Sequence, residues 1–162
     1  MDLPAASPLR ALDPNRLALV VFLRSFGCTF CREAMADVAA VKTRLRSDGA
    51  QIVFIHGASP REAARWFSRY GLADVTTISD PGLEHYRAFG LSRTNVQSLV
   101  DPRVWTRGAM CAVSHGFGVQ TMEMLRQLPG VFVMQNGAIV REFRHHSPAD
   151  RPDYVELVRS VL

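Results

Sequence analysis

Cys28 and Cys31 form a C-x-x-C, the pair in this chain whose types and spacing can do chemistry. Two thiols at that spacing either cycle between dithiol and disulfide or share a metal. One helical turn separates them, which is within reach of a disulfide. A cysteine placed at a helix N-terminus faces unpaired N–H groups and the positive end of the helix dipole, so its thiolate is favoured. The expectation is an exposed Cys28 at the cap as attacker, with Cys31 shielded in the first turn to resolve. Arg24 and Arg32 stand close in sequence and can add positive charge. The metal alternative joins Cys28 and Cys31 to Cys111 and His115 as a four-ligand zinc set, although that second pair lies some eighty positions away.

Positioning such a pair requires a strand that ends just before it and a helix that begins on it. Leu17 to Leu23 is an unbroken apolar run of strand length, suited to burial on both faces of a sheet. Arg24 to Gly27 reads as a loop. From Cys28 onward, Ala34, Met35, Val38, Val41 and Leu45 recur at helical spacing until Asp48-Gly49. A second buried strand covers Ile52 to Ile55. Ser59-Pro60-Arg61-Glu62 then opens a helix that runs to Tyr70 and stops at Gly71. Val75 to Ile78 predicts a third strand, and Leu83 to Phe89 a short helix. Val131 to Met134 and Ala138 to Phe143 flank Asn136-Gly137, a strong hairpin signal. A last helix follows Pro152. The order implies parallel strands with right-handed crossovers, then an antiparallel edge. In such sheets sites form at the carboxyl ends of strands, where the C-x-x-C falls. The 162 residues make one domain, with 1–15 a surface lead-in and 92–127 an insertion before the hairpin.

Composition excludes several classes. Nineteen basic residues, all arginine except Lys42, face fifteen acids without a long run of like charge, so a nucleic-acid footprint is absent. The longest apolar run, Leu17 to Leu23, falls far short of the roughly 20 residues of a membrane span. Met1-Asp2-Leu3-Pro4-Ala5 has neither the basic nor the apolar region of a signal peptide, so the expected location is the cytoplasm, where thiols stay reduced.

The remaining candidates carry weaker signals. Cys111 is a second resolving thiol or a lone small residue in the insertion. His145-His146 is expected to be a solvated turn, its two rings on opposite faces. His56 ends the second strand and either tunes the cysteines or caps a loop. Pro129, before the fourth strand, is a cis-proline beside the cysteines or, as base rates favour, an ordinary trans one.

Three segments carry a family resemblance. Phe22-Leu23-Arg24-Ser25-Phe26-Gly27-Cys28-Thr29-Phe30-Cys31-Arg32-Glu33 resembles the signature of the peroxiredoxin-like branch of the alkyl hydroperoxide reductase/thiol-specific antioxidant family. Ile78 to Leu91 is similar to its segment of strand, Asp and Tyr-x-x-hydrophobic-Gly. Gly130-Val131-Phe132-Val133 and Gly137-Ala138-Ile139-Val140 are similar to its final hairpin. The resemblance implies a thioredoxin-like three-layer α/β/α sandwich with a mixed central sheet. It also implies reduction of a hydroperoxide by the Cys28 thiolate, condensation of the sulfenic acid with Cys31, and reset by a thioredoxin- or glutathione-type donor. Arg24 would stabilise the thiolate and the polarised peroxide. No cofactor is called for, and a homodimer is possible.

The family pattern P-x-x-x-[T/S]-x-x-C is incomplete in either register. With Cys31 as its cysteine, Cys28 takes the hydroxyl position and Arg24 the proline. With Cys28 as its cysteine, Ser25 supplies the hydroxyl and Val21 stands at the proline. Two other functions stay open: a general disulfide reductase, and a non-catalytic thioredoxin-like domain that binds zinc or a partner.

Overall fold

The structure is a computed structural model describing residues 2–91, 102, 106, 109, 110, 113, 127–147 and 149–162. Five strands form one mixed sheet: β1 (Ala18–Phe22), β2 (Gln51–His56), β3 (Thr76–Ser79), β4 (Gly130–Gln135) and β5 (Ala138–Arg144), in the order β3-β2-β1-β4-β5. β1 pairs parallel to β2, and β2 to β3, while β1–β4 and β4–β5 are antiparallel. The expected parallel half and antiparallel edge are both present.

Alternate residues of β1 serve two cores. Leu19 and Val21 face α1 (Thr29–Ser47), α2 (Pro60–Arg69) and α4 (Tyr154–Arg159), with Met35, Val38, Phe67 and Val158 packed among them. Ala18, Val20 and Phe22 face the other way, toward α3 (Glu84–Ala88) and the N-terminal segment. This is the three-layer sandwich that a central strand apolar on both faces demands. On the α3 side Phe22 meets Tyr86, Phe89 and Phe132 edge-on, with centroids 4.9, 4.9 and 5.6 Å away. Each such pair contributes roughly 0.5–1.5 kcal/mol beyond its buried area.

The N-terminal segment is more than a surface lead-in. A short 3-10 helix, Pro8–Ala11, buries Leu9 in the α3-side core. Buried Ser7 and His85 share a hydrogen bond at 2.9 Å, and Asp80 accepts the backbone N–H groups of Glu84 and His85 at 2.9 and 2.8 Å. Most of residues 2–15 are exposed, as the proline content suggested; Ser7 and Leu9 are the buried exceptions that tie the segment down. The Asn136-Gly137 turn closes β4–β5 with both residues at positive φ (53° and 75°), as the sequence predicts. The insertion lies outside the described residues except for its scattered positions and Gln127, which is buried.

Candidate active site

β1 ends at Phe22, and Leu23 to Gly27 carry the chain over the sheet's carboxyl edge to α1. Two bonds hold that exit. The Leu23 N–H donates to the Ile55 carbonyl at 2.8 Å, and the hydroxyl of fully buried Tyr86 donates to the Leu23 carbonyl. Tyr86 belongs to the Ile78–Leu91 segment, so that segment positions the loop from across the sheet. Cys28 is the N-cap of α1, in extended conformation (φ −81°, ψ 122°), and its carbonyl accepts the Cys31 and Arg32 N–H groups, each at 3.1 Å. The helix thus begins at Thr29, with Cys31 in its first turn.

Both cysteines are reduced and buried, each 3% exposed. This corrects the expectation of an exposed Cys28: the loop folds down because Phe26 is itself buried, stacked on Trp66 and set edge-on to Phe67. Burial alone would raise both thiol pKa values. For Cys28 it is outweighed. A hydrogen bond from the Cys31 thiol contributes most, followed by the Arg24 guanidinium and the Cys31 and Phe30 N–H groups, and the Cys28 pKa falls to about 6. Burial dominates at Cys31 and, with the neighbouring Cys28 charge, pushes its thiol well above its ordinary value. The Arg24 N–H donates to Cys31 Sγ at 3.1 Å, so a chain of donors runs from the Arg24 backbone through Cys31 to the Cys28 sulfur.

Arg24 is 3% exposed, and its charge lowers the pKa of both thiols. Arg32 takes a different part. Its Nε donates to the Phe26 carbonyl at 2.6 Å, and its guanidinium lies 4.3 Å over the Trp66 ring. It braces the loop.

Beside Cys31 lies a cavity of about 20 Å³, room for one water-sized group. Arg24, Pro129, Val131, His145 and Tyr154 line it. The Leu128–Pro129 peptide is trans. His145 is buried, which corrects the expectation of a solvated turn, whereas His146 is exposed. Pro129 and Tyr154 line the same cavity as His145, which is covered while its chain neighbour is not. At the cavity rim Arg151 Nε donates to Asp37 Oδ2 at 2.7 Å, joining the segment before α4 to α1.

His56 sits apart from the cavity lining, against Phe26 and Phe67. Burial lowers its pKa to about 4. Cys111 and His115 lie outside the described residues. Among the described residues no three His, Cys, Asp or Glu side chains group to hold a metal, and no helix is long and apolar enough to cross a membrane.

The AhpC/TSA family model matches residues 8–143. The chain belongs to the AhpC/TSA family. Thiol-dependent peroxide reduction is the activity that membership carries, and this AhpC/TSA chain is an oxidoreductase. Among curated proteins it is 26% identical to the prostamide/prostaglandin F synthase of Danio rerio over 153 residues, 91% of this chain and 75% of that one. Its fold is shared with peroxidoxin BcpB of Mycobacterium tuberculosis (TM-score 0.63, 14% identity, 95% of this chain and 85% of that one). It is shared also with AhpC of Mycobacterium bovis (TM-score 0.58, 17% identity, 91% and 68%) and peroxiredoxin Q of Xanthomonas campestris (TM-score 0.56, 16% identity, 91% and 75%).

Proposed function

We propose that this AhpC/TSA chain reduces peroxides through a Cys28/Cys31 dithiol–disulfide cycle in which Cys28 attacks first. The observation that carries the reading is the donor set around the Cys28 sulfur at the α1 N-cap, which favours its thiolate near neutral pH. In the first step the thiolate attacks the peroxide, the O–O bond breaks, and Cys28 becomes a sulfenic acid while the alkoxide leaves and takes a proton. In the second, the Cys31 sulfur attacks the sulfenic sulfur and water leaves, giving the disulfide. A thioredoxin- or glutathione-type thiol then reduces it. Arg24, buried and charged beside both sulfurs, stabilises the thiolate and the developing oxyanion. The chain works in the cytoplasm, as a homodimer if it assembles.

A second reading reverses the order, with Cys31 attacking. It is favoured by one observation, that Cys31 lines the cavity. Trapping with dimedone separates them. Label at Cys28 in Cys31→Ser supports the first; label that survives Cys28→Ser and vanishes in Cys31→Ser overturns it. Peroxide-dependent NADPH consumption in a thioredoxin-coupled assay separates peroxidase action from general disulfide reduction, and consumption independent of peroxide would favour the latter.

A further inference from the structure

The reset of that cycle brings a reductant to a buried sulfur pair, and one charged face lies beside the loop that covers the pair. Phe26, on the loop before Cys28, stacks on Trp66 of α2, with ring centroids 6.0 Å apart and planes 12° from parallel. Two guanidinium groups lie over the half-buried Trp66 ring, Arg32 at 4.3 Å and Arg69 at 5.2 Å from its centroid. Arg61, Arg65 and Arg69 recur at four-residue spacing along α2, so they share one face, and all three are exposed. Among the described residues none of the three pairs with a carboxylate, whereas Arg46, Arg151 and Arg159 each do. The helix carries one acid, Glu62. Like charges at i and i+4 oppose helix formation, and Arg61 stands in the first turn, where the helix dipole disfavours a cation. No ion pair among the described residues offsets that cost, so the complement of this stripe lies on another molecule.

We propose that the Arg61, Arg65 and Arg69 face of α2 docks the protein dithiol that reduces the Cys28–Cys31 disulfide, and that this reductant carries carboxylates around its own thiols. This rests on the dithiol–disulfide cycle proposed above. Charge complementarity selects the partner, because three unpaired guanidinium groups on one helix face attract an acidic surface. The row runs along about 12 Å of helix, which matches the rim of a protein better than a single small thiol. Its position serves the exchange. Trp66 joins the stripe to Phe26, so a protein seated on α2 lies against the loop that buries Cys28. A thiolate of the reductant attacks the disulfide, and its second thiol then resolves the mixed disulfide. The reductant's dithiol becomes a disulfide, two electrons and two protons pass, and Cys28 and Cys31 return to thiols. The stripe acts on the encounter and its orientation, and salt screens it.

The test starts from protein oxidised with diamide, so that peroxide reactivity does not enter. Reduction of the Cys28–Cys31 disulfide is followed by mass with an acidic thioredoxin, with glutathione and with neutral dithiothreitol, at about 0.02 and 0.3 M salt. The triple variant Arg61→Glu/Arg65→Glu/Arg69→Glu is compared with Arg61→Gln/Arg65→Gln, which leaves the Arg69–Trp66 contact in place and stays readable if the triple variant fails to fold. With thioredoxin the expected result is a parent rate that falls as salt rises, a triple variant slower by about tenfold or more at low salt, a smaller loss in the double variant, and a weakened salt dependence in both. Dithiothreitol should reduce all three proteins at one rate. Equal thioredoxin rates, or a salt dependence that survives in both variants, overturn the docking face alone. A loss as large with dithiothreitol or glutathione as with thioredoxin overturns it too, since no protein docking is then needed. Failure of diamide to link Cys28 to Cys31 overturns the cycle and this proposal with it.

Discussion

Replacing Cys31 by alanine should raise the Cys28 pKa, and the structure sets the scale. Cys28 is held at about 6 against an ordinary 9.0. That difference corresponds to about 4 kcal/mol in favour of the thiolate, and makes Cys28 about 90% ionised at pH 7. The largest contribution is the hydrogen bond from the Cys31 thiol, and burial opposes it. A hydrogen bond to a charged group is worth roughly 1.5–3 kcal/mol, so its loss in Cys31→Ala moves the midpoint up to about pH 7–8. Cys31→Ser keeps an O–H donor in the same place and should fall between the two. Thiolate absorbance at 240 nm, followed from pH 4 to 10, reads the midpoint without requiring a reagent to reach a buried sulfur. A double variant lacking both thiols serves as the blank. A parent midpoint near 9, or a midpoint that stays near 6 in Cys31→Ala, would refute the donor-chain argument.

Other perturbations read other parts of the structure. Arg24→Gln removes the buried charge beside both sulfurs; peroxide-driven oxidation of Cys28 in stopped flow should slow on the order of 10- to 100-fold, with Arg24→Lys recovering part of it. Tyr86→Phe strips the donor from the Leu23 and Ile55 carbonyls, and urea unfolding should show a loss of about 1–3 kcal/mol. Gly130→Ala places a Cβ 2.6 Å from Leu91 Cδ2 and 3.0 Å from the Phe132 ring. Leu91 can turn aside, but Phe132 is wedged between Phe22 and Phe89, so a loss of about 1 kcal/mol or more is expected in the same assay. His56 and His145 both have pKa values lowered by burial to about 4 from 6.5. Above pH 6.5 neither folded nor unfolded chain is protonated there and stability is unaffected. Between 6.5 and 4 the unfolded chain binds protons that the folded one does not, so each site costs up to about 3 kcal/mol as pH falls. His56→Phe should flatten that acid limb in melts recorded at pH 4 to 7, and an unchanged limb would exclude His56 as its source.

Local patterns in the chain determined much of this. The continuous apolar run at Leu17 to Leu23 has strand length and suits a strand covered on both faces, which in turn calls for a layer on each side of the sheet. The Asn136-Gly137 pair needs positive φ twice and therefore turns a hairpin. A C-x-x-C between a strand and a helical pattern puts one cysteine at the cap, because strand and helix periodicities change there. These signals are short-range, and they located the cysteine pair and all five strands to within a residue or two.

What the tertiary structure alone decided is which side chains are covered and what meets what across the sheet. Phe26 sinking against Trp66 and Phe67 buries Cys28, although a cap position by itself favours exposure. The split between the two thiol pKa values follows from that burial and from the Cys31–Cys28 hydrogen bond, neither of which spacing specifies. Ser7 meets His85 across 78 positions, and His145 reaches the Cys31 cavity only because the antiparallel β4–β5 edge returns the chain end to the sheet's active edge. Dielectric and contact are properties of the packed interior, so residues far apart in the chain acquire their chemistry only when the sheet closes over them.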